Sequence, residues 1–505
     1  MRNYMAAGWF YSPSQIGRYS VTRITSLKPP KNKIRNPVSV VRELTTHQWL
    51  MFFVGFLGWT WDAFDFFTVS LTVTEIAQDF DVSVTSVTWG ITVTLMLRSV
   101  GALASGFFAD RYGRKWPFII NLCFFIILEL GSGFCQNLRQ FLGVRALYGI
   151  AMGGLFGSAA ATALEDLPYD ARGVLSGFFE MGYAIGYLLA AAMYPPPVLI
   201  ILFRLMLPET NYFQVMVAER EERSRQMQAE NDQAHVTGFQ SLLKYSRAAF
   251  KENWVLFIYL VILMTGFNAC SHGSQDFYPT FLKDQVGFNA NQVTIITVVG
   301  QAGAFAGANF FGYISTFFGR RSTMMVTCVI GGALVPSYVL PRDMSLIATV
   351  FWEQFCVGGV WGPIPIHLME VCPPEFRSLM VGFTYQLGNL ASSASATIQS
   401  TIGSKYPLPP TATNHKRFDY GTVMGIFLGA VWAYILFFLF WGPEMSAEER
   451  DDEAEAAKYL EQRRAEGASL AEIGVMRARG LDKLEGQAHD NVENGKEAFT
   501  EHVEC

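Results

Sequence analysis

Long apolar runs alternate with short polar breaks along most of the chain. A helix needs about 20 mostly apolar residues to cross a bilayer, and eleven runs of that kind fall between residues 49 and 442. They cover residues 49–71, 87–109, 117–135, 141–163, 173–193, 254–281, 292–317, 323–340, 346–369, 379–402 and 421–442. The pattern predicts an all-α integral membrane protein.

An internal repeat divides the chain into two similar halves. The segment 106–114, GFFADRYGR, recurs in part as GYISTFFGR at 312–320, which is 206 residues later. The pattern E-x-x-P-x-x-x-R begins at Glu165 and again at Glu370. Self-similarity at a fixed offset is the mark of a duplicated unit, so we expect two related helical bundles.

The stretch after the fifth run departs from this pattern. Residues 198–207 are too few to cross a bilayer, and they follow three prolines at 195–197 that break helices. Two spans and their loop occupy 66 residues of the second half (377–443), whereas the matching interval 172–208 offers 36. We therefore expect a truncated, tilted or half-inserted sixth span, and hypothesise a splice or gene-model defect.

Composition and charge agree with a membrane protein and suggest its orientation. Only 16% of the residues are charged, against roughly 25% in soluble proteins. Up to His47 the chain has eight Lys/Arg and one acid, Glu43, and basic segments favour the cytoplasmic side. The basic turns at 111–115 and 320–321 then face the same side, and both termini are expected in the cytoplasm of a plasma-membrane protein.

These features give a provisional division of the chain. The segments are an N-terminal tail at 1–47, a first bundle at 48–208, a central cytoplasmic loop at 209–252, a second bundle at 253–442 and a C-terminal tail at 443–505. The seven cysteines lack metal-ligand spacing, and the Gly-rich stretch 149–157 follows no strand, so close helix packing explains it better than a nucleotide loop. We expect no enzyme activity, cofactor, metal or nucleic-acid partner.

The loop between the second and third runs resembles the signature loop of the major facilitator superfamily. Its matching residues are Gly106, Asp110, Arg111, Gly113, Arg114 and Lys115. The resemblance covers roughly residues 49–442 and implies two pseudo-symmetric six-helix bundles that rock about a central site. In that family the loop pairs with neighbouring helix ends and biases the two transport states, which implies gating roles for Asp110, Gly113, Arg114 and, in the repeat, Arg320.

Charged residues inside the apolar runs are few and need an explanation. A charge near the bilayer centre costs at least about 2.5–3.5 kcal/mol on insertion scales. Arg98 lies in the second run, and its planar guanidinium suits bidentate binding of a carboxylate. A pair with Asp62, Asp65 or Glu129 on a neighbouring helix would satisfy the same charge, so both interpretations stay open.

Polar residues are concentrated in the sixth run. Asn268, His272 and Asp276 follow one another at intervals of four, so they share one face of a helix and suit the wall of a water-filled pathway. Histidine titrates near neutrality and can exchange a proton with an adjacent acid. We predict that His272 and Asp276 couple transport to protons, and rank Glu129, Glu180 and Glu353 below them because helix-interface hydrogen bonding also explains those acids.

The segment 268–280 reads N-x-x-S-H-x-S-Q-D-x-x-x-T and resembles the signature of the fungal Jen-type lactate/pyruvate:proton symporters, with every fixed position filled. The segment YQLGN at 385–389 and the intramembrane Arg98 also match that family. The resemblance implies short-chain carboxylates as substrates and leaves mono- against dicarboxylate preference open. The residues it implies in substrate binding are Arg98, Asn268, Ser271, His272, Gln275, Gln386 and Asn389.

Three functions remain open at this level. They are a proton-coupled carboxylate symporter, a sugar or polyol facilitator of the same fold, and a non-transporting carboxylate sensor or defective isoform. Arg98 and the His272–Asp276 pair favour the first, because an uncharged sugar needs no arginine and a uniporter needs no titrating pair. The expected partners are a small carboxylate, protons, the lipid bilayer and, by resemblance to fungal permeases, ubiquitin-ligase and endocytic machinery at the tails.

Overall fold

The computed structural model describes residues 36–71, 79–82, 84–192, 208–230, 238–373, 376–409, 417–445 and 466–478, with a few single residues between them. These residues are almost entirely helical. The sheet among them is a two-stranded antiparallel hairpin of β1 (Pro407–Leu408) and β2 (Arg417–Phe418). The prediction of an all-α membrane fold is confirmed.

Helices account for nearly all described residues of the first half and of the segment that follows it. They are α1 (Pro37–Arg42), α2 (Thr46–Leu71), α3 (Val84–Tyr112), α4 (Lys115–Gly133), α5 (Leu138–Gly153), α6 (Leu155–Leu164), α7 (Tyr169–Ala192) and α8 (Asn211–Glu230).

The second half begins with a long helix that is interrupted at Asp276. Its elements are α9 (Gly238–Gln275), α10 (Tyr278–Thr280), a π-helical turn (Phe281–Val286), α11 (Ala290–Phe318), α12 (Arg320–Val339), α13 (Leu346–Trp361), α14 (Ile364–Val371), α15 (Arg377–Ser392), α16 (Ser395–Gly403) and α17 (Tyr420–Trp441).

Each of the eleven apolar runs coincides with a helix or with consecutive helices. In the described part of the chain, eight segments are long and apolar enough to cross a membrane: Thr46–Val69, Val93–Tyr112, Lys115–Gly133, Leu138–Leu164, Asn253–Val286, Asn291–Phe318, Arg320–Val339 and Tyr420–Trp441. The other runs form α7 and the interrupted pairs α13–α14 and α15–α16. Residues 193–207, where we expect the short sixth span, lie outside the described residues.

The sequence repeat has a direct structural counterpart. Helix α11 starts at Ala290 and ends at Phe318, 206 residues after the two ends of α3. The loop that follows each helix turns on a glycine with positive φ, 99° at Gly113 and 88° at Gly319, a conformation that favours glycine. The bundles meet where α3 contacts α15 and where α7 contacts α11, and these two contacts are equivalent under the repeat.

Glycines allow close helix crossings inside each bundle. A Cβ on Gly153 would lie 1.7 Å from the carbonyl oxygen of Arg98, where α5 crosses α3. In the second bundle, a Cβ on Gly307 would lie 1.8 Å from the carbonyl oxygen of Phe355, where α11 crosses α13. Small residues at such crossings let helix backbones approach within a membrane, which confirms the packing interpretation of the stretch 149–157.

A second compact unit comprises Glu209–Phe250 and Glu448–Cys505. Within it, α8 packs against α18 (Leu470–Ala478), with Val215 and Ile473 buried between them. Ser469 caps α18, and its hydrogen bonds to Glu472 hold the pKa of that exposed carboxyl below its usual range. Two further features of the sequence lie outside the described residues. One is the segment SAEE at 446–449, which resembles a helix capping box. The other is the set of lysines that resemblance to fungal permeases suggests as ubiquitin acceptors: Lys28, Lys31, Lys33, Lys458 and Lys496.

The crossing of α11 and α13 gives a test of the fold. We expect Gly307→Ala to destabilise the protein by about 1–3 kcal/mol, because the new methyl group forces two helix backbones apart. The matched variant Gly429→Ala should be nearly neutral, since a Cβ at Gly429 meets nothing within 4 Å. Thermal melting of the detergent-solubilised proteins measures the difference, and equal melting temperatures would contradict this packing.

Candidate functional site

A cavity of about 110 Å³ lies between the two bundles. Helices α2, α3 and α7 of the first bundle and α9, α11, α13 and α15 of the second contribute its walls. The lining combines aromatic and other apolar residues with nine polar or charged ones, and a largely apolar wall with polar groups that can orient a ligand is typical of small-molecule sites.

Most of the predicted site residues meet at this cavity. Six of the seven residues implied in substrate binding line it, and so does Asp276. The six are Arg98, Asn268, Ser271, His272, Gln275 and Asn389. Gln386 does not line the cavity, since α15 directs Tyr385 and Asn389 toward it, and neither amide atom of the buried Gln386 has a hydrogen-bond partner among the described residues.

Arg98 pairs with Asp62, one of the acids considered for it, and also lines the cavity. Its Nη2 atom donates to Oδ2 of Asp62 at 3.3 Å and to Sδ of Met152 at 3.2 Å, and its guanidinium lies 5.2 Å from the ring centre of Phe66. The contact with Asp62 uses one nitrogen only, while the buried Nε atom has no partner in the described part of the chain. Arg98 therefore keeps donor capacity at the cavity wall although its charge is paired.

Both ring nitrogens of His272 contact polar side chains of the cavity. Its Nδ1 atom lies 2.8 Å from Oδ2 of Asp276, and its Nε2 atom lies 2.8 Å from Oδ1 of Asn389 on α15. Both contacts are satisfied together when both ring nitrogens carry hydrogen, which is the imidazolium form. With Asp276 ionised, a neutral ring would donate to it through Nδ1, and its Nε2 atom could then only accept a hydrogen bond from the NH2 group of a turned Asn389 amide.

Two other residues of the 268–280 motif, Gln275 and Ser271, form hydrogen bonds between α9 and α13. The Nε2 atom of Gln275 donates to Gln354 at 2.9 Å, and Gln354 donates in turn to the hydroxyl of Tyr338 at 3.3 Å. The hydroxyl of Ser271 accepts from the indole of Trp361 at 2.7 Å. Asn268 donates to the backbone of its own helix. These bonds fix the orientation of the α9 face that lines the cavity.

Several lining residues were not assigned to the site from sequence. Trp59, Tyr183, Trp361 and Tyr385 form an aromatic wall, in which Tyr385 meets Trp59 at 6.1 Å and Trp361 at 5.9 Å between ring centres. Glu180 also lines the cavity. No spacing pattern singles out the four aromatic residues, because they come from four helices that are distant in sequence, whereas Glu180 was recognised as an intramembrane acid and ranked below His272 and Asp276.

The first basic loop contacts the second bundle through Asp110. Its carboxylate accepts hydrogen bonds from the backbone N–H groups of Ser378 at 3.0 Å and Leu379 at 2.7 Å, at the start of α15. Arg114 is fully buried and pairs with Glu165 at 2.8 Å within the first bundle. These contacts close the face of the transmembrane unit that carries the two basic loops, which we name the basic-loop face.

The second basic loop, at residues 320–321, makes further contacts at the basic-loop face. Arg320 binds Glu370 through two nitrogens, at 3.1 and 3.4 Å, and its guanidinium lies 5.2 Å from the ring centre of Tyr169 in the other bundle. Ser176 of α7 donates to the carbonyl of Gly362 at 2.7 Å. Of the four residues predicted to act in gating, Asp110 and Arg320 contact the other bundle. Arg114 pairs within its own bundle, and Gly113 forms the turn beside it.

Exposure differs between the cavity and the basic-loop face. Asp276 lines the cavity directly after the end of α9, and 48% of its side chain is exposed. Asp110, at the basic-loop face, is 5% exposed. Among the described residues, no group of three His, Cys, Asp or Glu side chains is placed to hold a metal ion.

Comparisons with known proteins agree with this geometry. A family model described as the Major Facilitator Superfamily matches residues 48–396. The chain is 36% identical over 491 residues to the carboxylic acid transporter protein homolog of Saccharomyces cerevisiae, which covers 92% of this chain and 80% of the yeast protein. It is 25% identical over 426 residues to a probable 4-methylmuconolactone transporter of Cupriavidus pinatubonensis, over 78% of this chain and 90% of that protein.

Among solved structures, the proton:xylose symporter XylE of E. coli has a TM-score of 0.62 and 16% identity, over 81% of this chain and 99% of XylE. That likeness concerns the fold alone. The family match extends over most of both bundles, and the yeast protein is similar along nearly the whole chain. The chain therefore belongs to the Major Facilitator Superfamily and, within it, to the family of the yeast carboxylic acid transporter protein homolog.

Proposed function

We propose that this chain carries short-chain carboxylates of the lactate or pyruvate type, together with protons, across the plasma membrane by alternating access. The observation that supports this best is the guanidinium of Arg98, which keeps an unpartnered Nε donor at a small cavity that also contains the His272–Asp276 pair. The name of the yeast relative, a carboxylic acid transporter homolog, favours the same class of substrate.

The cavity suits a small anion. An engineered cavity of about 150 Å³ admits benzene, which has six non-hydrogen atoms, so the smaller cavity of about 110 Å³ suits a molecule no larger than that, such as a three-carbon hydroxy or keto acid. A carboxylate beside Arg98 would accept from the donors that Asp62 leaves free, and hydrogen bonds between charged partners are stronger than neutral ones.

The His272–Asp276 pair suits proton coupling. The pair lines the cavity and touches Asn389 of another helix, so loss of the proton from His272 changes contacts between α9 and α15. Histidine is the side chain whose ordinary titration falls in the physiological range. Proton binding and substrate binding would then favour the same arrangement of helices.

The closed basic-loop face suits one state of an alternating-access cycle. If that face is cytoplasmic, as the charge rule predicts, the structure corresponds to an outward-open state. Opening inward would require the Asp110 carboxylate to leave the backbone N–H groups of α15, while the Arg114–Glu165 and Arg320–Glu370 pairs stay within their own bundles. Rocking of two rigid bundles about a central site likewise breaks contacts between the bundles and keeps those within each bundle.

Uptake by cells tests the proposed function directly. We expect yeast lacking its own carboxylate permeases to take up radiolabelled lactate when it expresses this chain, and faster at an external pH of about 5 than of about 7.5, since histidine changes charge across that range. Surface expression is measured in parallel. Uptake that is absent despite surface expression, or unaffected by pH, would contradict the proposal and favour the sensor or facilitator alternatives.

Substitution of Arg98 tests its role in substrate binding. We expect Arg98→Lys to raise the KM for lactate by roughly tenfold, because the ammonium group cannot pair with Asp62 and bind a carboxylate through a planar fork, and a charged hydrogen bond contributes about 1.5–3 kcal/mol. The control Arg139→Lys changes an exposed residue of α5. An unchanged KM in Arg98→Lys would remove this residue from the binding site.

Separate measurements of lactate exchange and of lactate accumulation test the role of the His272–Asp276 pair in proton coupling. We expect Asp276→Asn and His272→Gln to abolish lactate accumulation driven by a pH gradient, because the variants lose the titrating pair, while Asp276→Asn retains part of the exchange of labelled for unlabelled lactate. Asp343→Asn, in an exposed loop, serves as the control. Accumulation at the wild-type level in both variants would exclude the pair from proton coupling.

A further inference from the structure

We infer that Glu180 is a second proton-binding acid of the cavity, and that it must be neutral for a carboxylate anion to bind. The inference rests on the proposed function and adds a residue to it. Glu180 lies in the middle of α7 and lines the same cavity as Arg98, His272 and Asp276.

The environment of Glu180 lacks a partner that would explain it as a packing group. Its Oε1 atom is buried and accepts no hydrogen bond from the described residues. Buried polar groups that serve only structure are almost always hydrogen-bonded. Glu353 differs in its place, because it is fully buried in α13 and does not line the cavity. Its Oε1 atom accepts from the indole of Trp432 at 3.0 Å, while its Oε2 atom has no partner among the described residues. The cavity position of Glu180, and not the unpaired oxygen alone, therefore distinguishes it.

The ionisable groups that face Glu180 are already matched with one another. Arg98 pairs with Asp62, and His272 pairs with Asp276. The phenols of Tyr183 and Tyr385 interact electrostatically with Glu180 and are neutral near physiological pH. Helix α11, which packs along α7, contains no Asp, Glu, Lys, Arg or His.

The other helices packed on α7 do not supply a cation at this depth either. The ionisable groups of these helices within the described residues are His47, Asp62 and Asp65 on α2, His367 and Glu370 on α14, and Arg42 on α1. Of these, His47 pairs with Asp166 and Glu370 with Arg320, both near the basic-loop face. An ionised Glu180 therefore adds a negative charge that the cavity does not balance.

A substrate anion in the same cavity would add a second negative charge to that of an ionised Glu180. Two negative charges a few ångströms apart in a water-poor site repel strongly, and the occupied site is favoured when one of them accepts a proton. A carboxylate and a proton on Glu180 consequently bind together. Each anion that enters from outside then brings at least one proton, in addition to any change at the His272–Asp276 pair.

The pH dependence of KM tests Glu180. When binding requires the neutral acid, the apparent KM rises in inverse proportion to its neutral fraction, by up to about tenfold per pH unit. We expect wild-type KM for lactate to rise between external pH of about 5 and about 7.5, and Glu180→Gln to lose most of that rise because a neutral amide needs no proton. Glu180→Asp should restore a pH-dependent KM.

The controls keep this test separate from that of the proposed function. Glu353→Gln makes the same change at an acid outside the cavity, and its KM should follow pH as in the wild type. If Glu180→Gln reaches the surface and its KM follows pH as in the wild type, the inference about Glu180 is wrong while the symport proposal stands. If the wild type itself shows no acid-stimulated uptake, the proposed function fails.

Discussion

Charges within a membrane must be paired, and the rest of this structure depends on how the pairs are distributed. An uncompensated charge costs several kcal/mol in a low-dielectric interior. Arg114 pairs with Glu165 in the first bundle and Arg320 with Glu370 in the second, and the Arg98–Asp62 pair also stays within one bundle. The strong pairs hold each bundle together, so a movement between bundles need not separate them.

The interface between the bundles is built from weaker contacts that suit a reversible movement. Asp110 binds backbone N–H groups of α15, Ser176 binds a backbone carbonyl, and close helix approaches involve glycines such as Gly173 and Gly177. These contacts are exchanged more easily than a buried ion pair, because water satisfies a freed backbone group at the membrane surface. Stability within the bundles and mobility between them thus come from different kinds of bond.

The sequence predicted those features of the structure that follow from a repeat or from helical periodicity. The offset of 206 residues locates both ends of α11 from those of α3, and the spacing of Asn268, His272 and Asp276 places them on one cavity wall. Sequence reasoning failed where contacts join distant helices. Gln386 and Asn389 are three residues apart on α15, and only the rotation of that helix decides that Asn389 reaches His272 while Gln386 does not line the cavity. No local pattern encodes such a rotation.

Unsatisfied polar groups alone do not identify the site, since His367 is also buried without a partner for either ring nitrogen among the described residues, yet does not line the cavity. The distinguishing feature is that polar and ionisable side chains from both bundles line one small space. Arg98 and Glu180 belong to the first bundle, whereas His272 and Asn389 belong to the second. A ligand can shift an equilibrium between two states only through its different affinity for each. Under the proposed function, an anion and its protons would bind residues of both bundles and so would influence how the bundles are arranged, which is the physical basis on which binding would be coupled to movement.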